Sequence, residues 1–212
     1  MRFKSRQDAG NELGRWLRDK NIQADVVLGL PRGGVIVASE VARALQCPLD
    51  VLVVRKIGHP QSREFAVGAL AEPDVVILDQ DSIGKGSFDR FQLAQIIDEE
   101  RQRLKHYQVQ FRPSGLADLT DRTVVIVDDG LATGATAEAA RVAARKRGAR
   151  TVIAAVPVGS VAAVERLGGA ADRVEALVVD PTFMAVGQYY DEFSQTTDEE
   201  VIALLHIPAG SG

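Results

Sequence analysis

The chain has 212 residues, 46% of them hydrophobic and 25% charged, with a formal net charge of -4; that length suits one substantial core and is short for two. The mild acidity argues against a broad nucleic-acid surface, and a single cysteine, Cys47, excludes an intrachain disulfide and a thiolate metal cluster. The start Met-Arg-Phe-Lys-Ser-Arg has no apolar signal core and no apolar run approaches the ~18 residues of a membrane span, so a soluble, cytoplasmic protein without a membrane partner is expected.

Ser5, with Asp8 three positions on, is a capping-box-like start, and Ala9, Leu13, Trp16 and Leu17 then share one helical face. Residues 25–30 read as a short apolar strand, followed by Pro31-Arg32-Gly33-Gly34 and a helix over 35–46, whose end Cys47 should fill just before Pro48. A strand is expected at 49–54, then a polar loop from Arg55-Lys56 to about Glu64. Two strands, 65–70 and 75–78, should be joined by a turn at Glu72-Pro73-Asp74. A loop at 79–90 precedes a long amphipathic helix over 87–107. Next come a strand at 124–127, a helix over 137–147, a strand at 151–156, a helix over 161–167, a strand at 173–179 and a short helix at 198–205. The tail, 208–212, should be disordered. No linker or repeat divides the chain, so 1–207 is expected to be one domain.

Strands alternating with helices predict an α/β fold, a mostly parallel twisted sheet with helices on both faces. Such sheets bind ligands beyond the carboxyl ends of their strands. The polar motifs at 31–34, 55–64, 128–136 and 180–193 all fall at those ends.

The most specific stretch is 124–136, Val-Val-Ile-Val-Asp-Asp-Gly-Leu-Ala-Thr-Gly-Ala-Thr. A buried strand leaves through two carboxylates and a Gly/Thr turn into a helix start, where backbone N–H groups lack intrahelical partners and suit an anion. Thr133 and Thr136 add hydroxyl donors, and Gly130, Gly134 and Ala135 let the backbone close round a phosphate. Asp128 and Asp129 are acceptor-only groups, suited to vicinal hydroxyls or to a hydrated divalent cation. Together they describe a site for a sugar 5-phosphate. A plain strand end would need one capping acid, not two followed by Thr-Gly-x-Thr.

This segment resembles the phosphoribosyl-pyrophosphate (PRPP) motif of type I phosphoribosyltransferases. The resemblance implies that Asp128 and Asp129 hold the ribose hydroxyls, that Gly130, Leu131, Ala132, Thr133, Gly134, Ala135 and Thr136 form the phosphate loop, and that Mg2+ is used, held by the acid pair through water. It implies a pyrophosphate loop at Arg32, Gly33 and Gly34, which could also be a plain turn with an exposed arginine. It further implies a mobile loop in which Arg55 and Lys56 act on the departing pyrophosphate, unless they are solvated loop charges. A catalytic acid at His59 is not expected, because magnesium-balanced pyrophosphate leaves without a proton.

The segment 185–191 is similar to the base-binding V-G-x-x-x-D stretch of the 6-oxopurine enzymes and implies a base pocket at Asp180, Val186, Tyr189 and Asp191 under a small hood of terminal segments. Ala185, Asp180 and Ala132 depart from that pattern, which favours an amino-bearing base such as adenine. Phe183, Tyr189, Tyr190 and Phe193 could stack on the base or pack the loop on the core. The expected activity is transfer of ribose 5-phosphate from PRPP to a nitrogenous base with release of pyrophosphate. The alternative is a sensor of PRPP or nucleotide with the same fold and no turnover. A homodimer is the default assembly.

Overall fold

The computed structural model describes residues 1–79, 90–113, 115–169 and 172–206. The loop expected at 79–90 beyond Asp79, the first residues of the helix expected from 87, and the tail at 208–212 lie outside them.

Five strands form a wholly parallel sheet. β1 (Val26–Gly29) lies between β2 (Leu49–Val51) and β6 (Thr123–Val127), and β7 (Thr151–Ser160) and β8 (Arg173–Asp180) continue beyond β6. Alternate residues of these apolar strands feed two cores, as a sheet covered on both faces requires. Val27, Val125 and Val127 pack with Leu13 and Leu17 of α1 (Arg6–Asp19) and with Val37 and Val41 of α2 (Gly33–Leu45). Val26, Leu28, Val124 and Ile126 face the alanine stripe 139, 140, 143 and 144 of α4 (Ala135–Lys146). The expected cap of α1 forms, with Ser5 Oγ accepting from the Asp8 N–H at 3.3 Å. Cys47 is buried beside α2, and burial pushes its thiol up to about 11.

A second sheet is antiparallel, with β4 (Ser62–Ala71) between β3 (Val54–His59) and β5 (Val75–Leu78). This corrects the reading of 55–64 as a loop. Arg55 and Lys56 are strand residues, paired with Leu70 and Ala69 across a hairpin that turns at 60–61. The strand forms because Ile57 is fully buried, with Val67 and Leu70, against the long helix α3 (Arg90–Phe111). The basic letters had hidden one buried face. α5 (Val161–Gly168) and α6 (Asp198–Leu205) complete the helices. The chain ends meet near the sheet's carboxyl edge, where Phe3 bridges to Tyr190 and the Asp191 N–H donates to the Phe3 carbonyl at 2.9 Å.

The hairpin is rooted on a buried charge cluster. Glu72, fully buried at the β4–β5 turn, accepts from the Val53 N–H at 2.8 Å, from Gln108 Nε2 at 2.7 Å and from the Arg112 guanidinium. Arg112 in turn lies 3.5 Å from Asp50 of β2, whose carboxyl is held above the usual range chiefly by its burial. One carboxylate thus ties both sheets to the end of α3. Removing one partner of a buried ion pair leaves the other uncompensated. Glu72→Ala should therefore cost about 3–5 kcal/mol in urea unfolding, and Glu72→Gln, which keeps an acceptor, should cost less.

Candidate active site

From β1 the chain crosses through α2 to β2 on one side, and from β6 it crosses through α4 to β7 on the other. β1 and β6 are neighbours, so the two loops that leave them diverge over a crevice, the position where doubly wound sheets bind ligands. Residues 31–34 form one wall of that crevice and 128–136 the other. The cavity above them has a volume of about 880 Å³.

Both helices that start here lack a side-chain cap. α2 is capped by Arg32 without a side-chain hydrogen bond, and α4 by Gly134, whose φ of +81° suits glycine. At α4 the nearest substitute is a long 3.5 Å contact from the Ala135 N–H to Thr133 Oγ1. By contrast α1, α5 and α6 are capped by the hydroxyls of Ser5, Ser160 and Thr197. The cleft is thus bordered by helix starts whose free N–H groups await an external acceptor. The loop from 130 is pinned rather than loose. The Leu131 N–H donates to the Val158 carbonyl at 2.8 Å, the Ser160 N–H to the Leu131 carbonyl at 2.9 Å, and Ser160 Oγ to the Ala132 carbonyl at 2.8 Å.

The acid pair stands where the loops meet. Asp128 Oδ1 accepts from the Asp129 N–H at 2.8 Å. Burial, and then the neighbouring Asp129 charge, hold the Asp128 carboxyl well above the ordinary range. The glycines of α2 are a consequence of this crowding. A Cβ at Gly34 would lie 2.8 Å from Asp128 Oδ1, and one at Gly33 would run into Asp129 Oδ2 and come within 2.6 Å of Arg6 Nε. Arg6 was not singled out in the sequence, yet it is the counter-ion of the pair. It is buried and donates from Nε to Asp129 Oδ2 at 2.8 Å and from Nη1 to the Ser194 carbonyl at 2.8 Å. Its guanidinium lies 4.0 Å from the centre of the Phe193 ring. Tyr190 adds a 2.6 Å hydrogen bond from its hydroxyl to the Asp129 carbonyl.

The opposite wall is the β3–β4 hairpin with α3. Arg55 pairs with Glu100 at 2.9 Å, Arg63 with Glu99 at 3.0 Å, and Arg103 with Glu100 at 2.5 Å. Lys56 lines the cleft and is near enough to favour the charged form of Asp128. Arg32, at the other lip, reaches Asp198 at 3.7 Å and stays substantially exposed.

Of the residues expected from sequence, Arg32, Gly33, Arg55, Lys56, Asp128, Asp129, Gly130, Ala132, Thr133, Gly134, Ala135, Thr136 and Val186 all line this one cavity. Gly34 lies directly behind it against Asp128, and Leu131 is buried beneath. The expected base pocket does not assemble. Val186 packs on Gly130, but Asp180, Tyr189 and Asp191 lie outside the lining. Asp180 is taken up locally, accepting from the Thr182 N–H and hydroxyl at 2.7 Å and from the Tyr189 hydroxyl at 2.8 Å; the Thr182 contacts chiefly hold its carboxyl below the usual range. Asp191 pairs with Arg2 at 2.6 Å on the surface.

A switch-point cleft with an acid pair between two uncapped helix starts offers acceptors and donors side by side, the chemistry that suits a phosphorylated, hydroxyl-rich ligand. The family model for the phosphoribosyl transferase domain matches residues 4–192, and the chain belongs to that family. A protein of Mycobacterium tuberculosis H37Rv, provisionally named a phosphoribosyl transferase, is 47% identical over 208 residues, which are 96% of this chain and 46% of that protein. The chain thus spans about half the length of the curated relatives it matches. A solved structure from Thermus thermophilus is 45% identical, with a TM-score of 0.77 over 97% of this chain and 98% of that one. The purine phosphoribosyltransferase of Pyrococcus horikoshii shares the fold, at 19% identity and a TM-score of 0.50 over 89% of this chain and 91% of that one.

Arg6→Met should leave Asp129 without its partner. Loss of about 3 kcal/mol in chemical denaturation is expected, with Arg6→Lys closer to wild type. A wild-type unfolding midpoint in Arg6→Met would contradict this account of the pair.

Proposed function

We propose that this cleft binds PRPP with magnesium and that the protein transfers its ribose 5-phosphate to a nitrogenous base, releasing pyrophosphate. The observation that carries the reading is the convergence of the acid pair, the Thr/Gly loop and the loop 31–34 on one cavity, facing a basic hairpin. The Thr133 and Thr136 hydroxyls and the free amides of α4 take the 5-phosphate. Asp128 and Asp129 accept from the ribose 2- and 3-hydroxyls, and the amides at the start of α2, with Arg32, receive the pyrophosphate.

In the reaction an acceptor nitrogen attacks C1 of the ribose as the bond from C1 to the pyrophosphate oxygen breaks, the electron pair of that bond leaves with pyrophosphate, and the N–H proton of a neutral acceptor is lost to water. Positive character at C1 and negative charge on the leaving group develop together, so positioning and charge stabilisation do the catalysis. Lys56, on the hairpin wall, has no ion-pair partner among the described residues and is the cation available to that growing charge. Magnesium would supply further neutralisation of the pyrophosphate. The site suits it, because two crowded carboxylates, one with its acidity suppressed by burial and then by the other, favour an added cation. Among the described residues no group of three acidic, His or Cys side chains could hold a metal, so such an ion would complete its shell with water and substrate oxygens.

The test is a panel of purine and pyrimidine bases with PRPP and magnesium, read as pyrophosphate release and, separately, as PRPP binding by calorimetry. Thr133→Val and Thr136→Val should each weaken PRPP binding by roughly 1.5–3 kcal/mol, with little change in thermal stability. Lys56→Ala should lower kcat by about tenfold or more while changing the Kd for PRPP much less. PRPP binding without pyrophosphate release from any base would make the protein a sensor, and absence of PRPP binding would overturn the assignment of the site.

A further inference from the structure

The cavity is large for one sugar phosphate. Ligand sites commonly span roughly 300–1,000 Å³, and about 880 Å³ leaves room for a second substrate beside the first. A flat heterocycle needs an apolar face, and the aromatic rings of the terminal segments are stacked on one another outside the cavity lining. Phe183 stacks on Tyr189 with centroids 5.5 Å apart, and Tyr190 on Phe193 at 5.2 Å. The Arg6 guanidinium lies 4.0 Å from the centre of the Phe193 ring. None of these four rings lines the cavity.

One ring does. Phe65 is the aromatic side chain of the cavity lining among the described residues, and it is 54% exposed. Its backbone explains why it points there. Gly58 pairs with Ala66 and His59 with Ser62, so residues 63–65 of β4 stand opposite no residue of β3. Such bulges turn side chains out of the normal alternation and recur beside active sites. The bulge is fixed by the close approach of Gly58, where a Cβ would lie 3.0 Å from the Arg63 Cα. It is held to α3 by the Arg63–Glu99 ion pair. The His59 ring meets Phe65 edge-on with centroids 6.3 Å apart, which supports the ring while leaving more than half of the residue's surface open.

We infer that Phe65, displayed by the bulge of the β3–β4 hairpin, is the stacking platform for the acceptor base. Phe65 is a specificity-determining residue that contacts the base, on the wall opposite the acid pair and away from the terminal segments. The assignment of that base as the acceptor rests on the transfer reading; the platform itself does not.

The test places a reporter in the ring position. Phe65→Trp is titrated with adenine, hypoxanthine, uracil and, as a non-aromatic control, urea, each with and without PRPP and magnesium. Wild type, whose one tryptophan is Trp16 on α1, corrects for the background. Saturable quenching by at least one of the bases and none by urea is expected. In calorimetry the quenching base should bind Phe65→Ala about tenfold more weakly than wild type, with Phe65→Tyr near wild type and the PRPP affinity of all three variants unchanged. If PRPP binds and no base quenches, or if Phe65→Ala binds the base like wild type, the platform is overturned. If bases quench and PRPP does not bind, the transfer reading fails while the platform stands.

Discussion

Two carboxylates side by side at the end of a buried central strand repel each other, and most of the surrounding architecture answers that repulsion. Asp128 is pushed toward its neutral form by burial and by Asp129. Around the pair the chain supplies a guanidinium on Asp129, an ammonium near Asp128, and a backbone N–H on the Asp128 carboxylate. It also removes two side chains, at Gly33 and Gly34, so that α2 can begin directly against the acids. A protein selecting only for stability would replace such a pair, since buried charge is weak evidence for stabilisation. Its retention, with three elements arranged round it, is intelligible if the pair is completed by a ligand's hydroxyls or a cation.

The helix starts make the complementary point. Where the cap residue does not itself line the cleft, at Ser5, Ser160 or Thr197, the chain satisfies the helix start with a hydroxyl. Where one begins on the cleft, it does not. A cap by serine or threonine is worth about 1 kcal/mol, so its omission at both sites exchanges stability for free N–H donors. Acceptor-only carboxylates and donor-only amides then alternate along one short crevice. A ligand carrying hydroxyls and phosphate together would satisfy both.

Much of this was legible because it is local. The strands at 26–29, 123–127 and 151–160 announce themselves as continuous apolar runs, and 128–136 carries its acids, glycines and threonines in one contiguous stretch. What was misread depends on partners distant in sequence. The segment 55–64 reads as a polar loop until Ile57 is seen to share a core with Val67 and α3. Arg6 reaches an acid 123 positions away, and nothing beside it in the sequence says so. A signal did exist: Arg6 shares the buried stripe of α1 with Ala9, Leu13 and Leu17, where an arginine must have a partner. Asp180 carried the opposite signal. Asp-Pro-Thr favours a carboxylate turned back on its own backbone, and Asp180 does bond to Thr182.

The two walls of the cleft are held by interactions of unequal strength, and this bears on how ligands are handled. The sheet wall is fixed by short crossovers and by the pinning of 131 and 132 to β7. The hairpin wall is fixed at its root, where the fully buried Glu72 joins Val53, Gln108 and Arg112. Toward its tip the same hairpin is held to α3 by the exposed Arg63–Glu99 pair, of a kind worth roughly 0–1 kcal/mol. Resistance to local opening therefore falls from root to tip along a single hairpin. Arg55 and Lys56 lie nearer the root, and Phe65 on the bulge nearer the tip. On the transfer reading proposed above, the charges facing the phosphorylated sugar would be rigidly placed, as electrostatic stabilisation requires, while the ring proposed to meet a flat base would sit on the more weakly held end.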